Sequence, residues 1–393
     1  MRGDQLKARC FAISVVVAAF AASTSFAQNT PTASGSSFAP DEWLLESVGA
    51  PWWYRTAASS HPSPLKHREA TAAEQKIVDR ARVLFRDRPA KAIALIDGDS
   101  VVYSEFKAPA NDESVFFGLS MGKTVTAIAT GQALCMGKLT LETKALEWVP
   151  ELKGKALGNA TVRDLLRMAS GAAEPNPDST IWGPGQLAEW QVGNLKLLSV
   201  LTEDRVSRAG RGLFSDYRPG EHFSYKSTDP QLLGVVVGRA TGMAFGQWLQ
   251  VAVLDPMGAS HTGLYGQDRD ESPLADSGLR LRLNDWLRFA VFVKRASKAE
   301  GCFGDFVRAA TSTQIGNPGS PSTRKVGKLF GGYGYFTWTD NAISPGTAWA
   351  SGWGGQRISW HRDSDRMVVV FSNVEDWMPE LYELDRAWGS VGK

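Results

Sequence analysis

Cysteine is scarce in this chain of 393 residues: three occur, Cys10, Cys135 and Cys302. Cys10 falls inside a leader-like N-terminus, so two would remain after processing, and a disulfide scaffold is not expected to hold the protein together. Cys135 falls on an apolar, helix-like stretch, where a cysteine is expected as a small core residue. Excess charge of either sign is missing too, with 43 Lys and Arg against 41 Asp and Glu, a net of +2. The leader carries Arg2, Lys7 and Arg9 against Asp4, so the processed chain is near neutral and offers a polyanion such as nucleic acid no electrostatic footprint. After the leader, no stretch approaches the roughly 20 uninterrupted apolar residues that a membrane span needs.

What is present begins with that leader. Basic residues precede an apolar run from Phe11 to Phe20, and Ser25-Phe26-Ala27 supplies small residues before Gln28, the pattern of a secretory signal peptide over residues 1–27. A membrane-anchoring N-terminal helix is the alternative. The expected product is a periplasmic or secreted protein with no membrane span. Residues 28–70 read as a linker, rich in Thr, Ser, Pro and Gly up to Pro40, and an N-terminal extension. Thr71 and Glu74 are spaced as a capping box opening a helix to Phe85. The run from Lys91 to Tyr103, broken by Asp97-Gly98, predicts a β-hairpin.

From Ser120 to about Arg295 the pattern is helical, and strands return at Gly334–Trp338, Gln356–His361 and Arg366–Ser372 before a last helix near Pro379–Trp388. The fold expected is α/β, an antiparallel sheet built from both chain ends and flanked by helices. A mostly helical insertion spans about residues 140–295 within a single unit, 71–393.

Ser120 is the focus of the chemistry. Ser120-Met121-Gly122-Lys123 is a Ser-x-x-Lys pair, and Gly118 to Gly122 is a Gly-x-Ser-x-Gly elbow. Both readings make Ser120 a nucleophile and differ in the base. Ser-x-x-Lys also occurs at Ser63, Ser104, Ser322 and Ser390, in proline-flanked, strand-like, loop and terminal contexts. Ser120 alone precedes a proline-free stretch rich in alanine and aliphatics that closes at Gly137 as a helix C-cap would. In a helix, residues three apart share a face, so Lys123 can aim its amine at the Ser120 hydroxyl. A phosphate-binding loop pattern fails by one residue, since the position that must be glycine is Phe117, so nucleotide binding at Gly122-Lys123-Thr124 is not expected.

Two later segments supply partners. Pro219 to Ser227 is a turn and extended piece running into a helix expected to be capped by Asp229, with Pro230 at its first position. It offers Tyr225 as a phenol base and Ser227 as a hydrogen-bonding support. Gly352-Trp353-Gly354-Gly355-Gln356 opens a strand where glycines let backbone N–H groups approach a substrate. The aromatics Trp182, Trp190, Phe214 and Tyr217, with Trp52-Trp53-Tyr54, are candidates to line the cleft.

Taken in order, these motifs resemble the serine β-lactamase and penicillin-recognising superfamily. The branch is the class C-like one, with family VIII esterases, D-aminopeptidase/carboxypeptidase-like proteins and 6-aminohexanoate-dimer hydrolases. The resemblance rests on Ser120 to Thr124, Val149 to Gly154, Thr161 to Gly171, Phe223 to Ser227 and Gly352 to Gln356, and spans roughly Ala92 to Asn373. It implies a sheet domain and a helical domain with the active site between them, and no metal or organic cofactor. Two departures matter: Tyr225-Lys226-Ser227 replaces the Tyr-x-Asn of class C β-lactamases, and Trp353-Gly354-Gly355 replaces their Lys-Thr-Gly. Losing the cationic lysine of the third motif weakens the case for β-lactams, whose carboxylate it helps hold. Small-molecule esters or linear amides are the expected substrates, with β-lactamase or D-amino acid peptidase activity as the alternative.

The chemistry expected is acyl transfer, with Ser120 attacking and the Lys123/Tyr225 pair carrying the proton. The Ser120 N–H and one from the Gly355-Gln356 region would form an oxyanion hole. Two other readings stay open. One is an α/β-hydrolase in which the Ser120 elbow works with His361 and an acid such as Asp340. The other is a catalytically inactive binding protein.

Overall fold

The structure is a computed structural model that describes residues 52–172, 181, 185–191, 193–202, 217–318 and 327–392. The expected leader, Trp182 and Phe214 therefore lie outside the described residues, and so do the side chains of Trp52 and Trp53.

The Asp97-Gly98 turn sets the core of the fold. It joins β3 (Ala90–Asp97) to β4 (Ser100–Phe106), with Gly98 at φ +61°, the left-handed conformation glycine tolerates best. Ala92 to Ile96 are buried without alternation, so this strand is interior and covered on both faces. Its other neighbour comes from the far end of the chain: β13 (Arg366–Ser372) pairs with it antiparallel, Ile93 opposite Val370. β12 (Gln356–His361), β11 (Thr347–Gly352), β10 (Trp338–Asn341), β9 (Phe330–Tyr333) and β8 (Ile315–Gly316) continue the sheet. With β2 (Lys66–His67) beside β4, the order is β2-β4-β3-β13-β12-β11-β10-β9-β8, nine strands drawn from both chain ends as the sequence implies.

Helices cover the two faces. α1 (Ala72–Asp87) starts at the Thr71–Glu74 capping box and packs with α7 (Met378–Gly389) on one face, where Trp349 of β11 meets Tyr382 of α7. On the other face lie α2 (Met121–Cys135) and α5 (Leu283–Lys298); the Trp360 indole of β12 donates to Ala290 O of α5. α2 is buried all round from Met121 to Gly131, because it is wedged between the sheet and α4 (Thr228–Thr241), α6 (Cys302–Ala310) and the 245–257 helical segment. Small side chains make that wedge possible. A Cβ at Gly131 would sit 2.3 Å from the Phe306 ring. Threonine is a modest helix former, yet here it anchors the helix: Thr124 Oγ1 donates to Phe336 O and Thr126 Oγ1 to Ala275 O, each at 2.7 Å.

Three expectations are corrected. The helical region is interrupted by β6 (Leu264–Gln267) and β7 (Leu279–Arg282), which join β1 (Trp52–Arg55) and β5 (Val115–Phe117) in a second, four-stranded sheet, β1-β6-β7-β5. Leu279 and Leu281 alternate with Arg280 and Arg282, but all four lie among helical stretches, which hides a strand this short. Ser227, not Asp229, is the N-cap of α4, which packs on α3 (Val162–Leu166); Asp229 lies fully buried in the first turn of α4. Third, Cys135 and Cys302 form a disulfide with Cα atoms 5.6 Å apart, so Cys135 is a cross-link and not a solitary core thiol. A separation of 167 residues gave no sequence signal that the end of α2 meets the start of α6.

Because the bond closes so long a loop, Cys135→Ser with Cys302→Ser should lower stability by about 2–5 kcal/mol. The check is a denaturation curve of the double variant beside the oxidised and reduced wild type; a midpoint unchanged in all three contradicts it.

Candidate active site

β5 runs into the Gly118–Ser120 loop, where Leu119 takes φ +49° and turns the chain so that Ser120 stands at the N-cap position of α2, its side chain making no capping hydrogen bond. Such a conformation is uncommon for a branched residue and costs roughly 1–3 kcal/mol. Packing accounts for both glycines of the apparent elbow. A Cβ at Gly118 would lie 2.5 Å from the Trp286 ring, and one at Gly122 within 3.0–3.1 Å of the Ser277 backbone. One helical turn past Ser120, Lys123 donates from Nζ to Ser120 Oγ at 2.9 Å and to Asp276 O at 3.3 Å, with 2% of the lysine exposed. As the first residue before the helix, Ser120 also carries a backbone N–H with no intrahelical partner.

Asp276 belongs to this cluster and was missed from the sequence. Its Oδ2 lies 3.8 Å from Lys123 Nζ and accepts from Ser227 Oγ at 2.6 Å, while Oδ1 accepts from Ser277 Oγ at 2.9 Å. It sits just before β7, so a strand assigned at Leu279–Arg282 would have placed it at a strand entrance beside the site.

Tyr225 lies in the loop before α4 with its ring half-buried, and Lys123 Nζ is 5.1 Å from the ring centroid. Trp338 stacks on that ring at 5.1 Å and Tyr333 meets its edge at 6.2 Å, which fixes its orientation. Lys226 turns the opposite way, fully buried. It donates to Ser224 O at 3.0 Å and Met168 O at 3.3 Å and pairs with Asp229 at 3.3 Å. Ser170 donates to Asp229 from both hydroxyl and amide. Burial pushes the Asp229 carboxyl up, and Lys226 and Ser170 pull it back.

The third motif is a tight turn between β11 and β12, with Gly354 at φ +76° and Gly355 at φ +97°. Gly352 is the residue of it that touches the Gly118–Ser120 loop, since a Cβ there would lie 2.3 Å from Gly118 O. Gly355 faces the other way, towards Val374 O and Ser372. Gln356 is buried and braces the turn, donating to Trp353 O and Ser372 O at 2.8 Å each. Trp353 is 40% exposed.

Other expected residues are not brought to Ser120. His361 is held at 3.1 Å by Asp385 of α7 and packs on Gly389, while Asp340 accepts from Thr313. With Lys123 on the Ser120 hydroxyl, the arrangement a histidine-based hydrolase needs is not present. Trp190 is fully buried, a core residue and not the cleft wall expected of it. Tyr217 is exposed and stacks on His222 at 4.1 Å. Among the described residues, no cluster of three or more His, Cys, Asp or Glu is arranged to hold a metal ion. None of their helices is long and apolar enough to cross a membrane.

The family model described as Beta-lactamase matches residues 79–393, most of the chain, and the chain belongs to that family. Among curated relatives, a beta-lactamase of Providencia stuartii is 23% identical over 49% of this chain and 47% of its own length. Penicillin-binding protein 4* of Bacillus subtilis (strain 168) is 26% identical over 41% of this chain and 33% of its own. The chain thus spans less than half the length of these relatives. Among solved structures, a proposed 6-aminohexanoate-dimer hydrolase from Bacillus anthracis superposes with a TM-score of 0.66 at 15% identity, covering 85% of this chain and 89% of that one. A penicillin binding protein from Bacillus halodurans gives 0.56 at 18%, covering 75% and 94%. At these identities the likeness is one of fold, and it agrees with the fold and superfamily expected from the motifs.

The buried Lys226–Asp229 pair separates scaffold from chemistry. Lys226→Met should strand the Asp229 carboxylate and cost about 3–5 kcal/mol of stability. A melting temperature within a degree or so of wild type would show that the pair carries no such load.

Proposed function

We propose that this member of the beta-lactamase family is an exported serine hydrolase that cleaves small esters or linear amides through an acyl-enzyme on Ser120. The observation that carries the reading is the 2.9 Å contact between Lys123 Nζ and Ser120 Oγ, buried beneath the Tyr225 ring. Ser120 Oγ adds to the substrate carbonyl, and its proton passes to the Lys123/Tyr225 pair. Collapse of the tetrahedral intermediate breaks the bond to the leaving group, which takes that proton. Water, deprotonated by the same pair, then cleaves the acyl-enzyme and restores the serine.

The Ser120 N–H is one oxyanion donor, and a backbone N–H of the Trp353–Gln356 turn is the other. Ser227 supports the second motif through its hydrogen bond to Asp276.

Trp353 favours esters and linear amides over β-lactams, because an exposed indole stands where a β-lactamase presents a cationic lysine. The likeness to a proposed 6-aminohexanoate-dimer hydrolase points to the same linear substrates. Export is supported by the leader pattern and by the Cys135–Cys302 bond, since disulfides persist in oxidising compartments.

Ser120→Ala and Lys123→Ala should each remove at least about 10³ of turnover with the fold intact, while His361→Ala leaves the chemistry in place. Tyr225→Phe should reduce turnover by about 10²–10⁴ with little change in melting temperature. An active Lys123→Ala beside an inactive, folded His361→Ala contradicts the lysine mechanism. Substrate class is tested by comparing kcat/KM for p-nitrophenyl esters, aminohexanoate oligomers, D-amino acid amides and nitrocefin. Cephalosporin turnover exceeding every ester and amide by about tenfold would reverse the assignment.

A further inference from the structure

Asp276 is a carboxylate placed where the fold alone does not ask for one. It is 8% exposed, and each of its oxygens is fixed by a serine hydroxyl, Ser227 on Oδ2 and Ser277 on Oδ1. The residue before it is clamped from two sides: Ala275 O accepts from Thr126 of α2, and Ala275 N donates to Gln231 of α4 at 2.7 Å. The residue after it has its backbone against Gly122, so the loop is packed directly on the start of α2. A buried carboxylate without a close, bidentate cation is expensive. The cation nearest it in these contacts is Lys123, which touches the loop twice, at Asp276 O and, at 3.8 Å, Asp276 Oδ2.

The groups facing Lys123 are Ser120, Tyr225 and Asp276. Those facing Asp276 are Lys123, Ser227, Ser277 and Tyr265, whose phenol is pushed up by burial and then by this carboxylate. Lys226 and Asp229 lie nearby, paired with each other.

We propose that Asp276 is a positioning residue of the site, whose charge balances Lys123 and whose oxygen orients Ser227, and which thereby sets the pH at which Ser120 becomes reactive. The inference rests on the proposed Ser120–Lys123 chemistry. The Asp276 charge acts on the Lys123/Tyr225 pair that takes the serine proton, so removing it moves the pH dependence of that transfer downward.

The test is the rate of Ser120 labelling by a fluorophosphonate, measured against pH on the full chain. In that reaction Oγ bonds to phosphorus, fluoride departs and the serine proton goes to the Lys123/Tyr225 pair. In Asp276→Asn the rising limb should move to lower pH by about one unit or more. Asp276→Glu should keep the wild-type limb, and Ser227→Ala should keep it too while labelling more slowly. If Asp276→Asn does not fold, Asp276→Ser removes the same charge with a smaller side chain. Coincident limbs in wild type and the uncharged variant overturn the assignment of Asp276 alone. Absence of any Ser120 labelling in the wild type overturns the proposed function with it.

Discussion

A lysine amine that is almost wholly shut away from water is the constraint around which this site is built. Burying an ammonium group is costly unless its donors are met and its charge is answered. Lys123 meets the Ser120 hydroxyl at the start of its own helix, and both the backbone carbonyl and the carboxylate of Asp276 from a loop 153 residues further on. The helix that carries it cannot move, because Thr124, Thr126 and Gly131 lock it to the sheet side, the Asp276 loop and α6. The position of Ser120 is therefore inherited from the packing of α2, and Lys123 is anchored by the same core contacts.

Lys226 shows the same problem solved for another purpose. It is adjacent to Tyr225 and just as buried, yet its partners are the backbone carbonyls of Ser224 and the distant Met168 and the Asp229 carboxylate one turn on. Lys123 shares its site with the Ser120 hydroxyl at a helix N-terminus, and Lys226 closes a seam between α4 and the Met168–Ser170 segment. Two lysines of similar burial thus differ in what their surroundings let them do.

The parts of the fold that can be read from the sequence are those whose signals are local. The Thr71–Glu74 box, the Asp97-Gly98 hairpin and the helix between Ser120 and Gly137 each declare themselves within a few residues, and so does the Ser120–Lys123 spacing. What stayed hidden depends on tertiary meetings. The Cys135–Cys302 bond, the four-residue strands β6 and β7, and the arrival of Asp276 beside Lys123 join segments far apart in the chain. Trp190 misled for a related reason: an aromatic near a cleft and one beneath it look alike in sequence.

The pairing of β3 with β13 has a consequence for how the protein comes into being. Ile93 emerges early and waits for Val370, its antiparallel partner, until almost the whole chain has been made. Until then β3 has one open edge, α2 has no finished floor to lie on, and the most distant contacts are still unmade. Such topology delays completion of the sheet until residues 366–372 have been made. It also makes β13 a checkpoint: a chain that stops short of Arg366 has its serine and lysine in sequence but lacks the strand that joins β3 to β12.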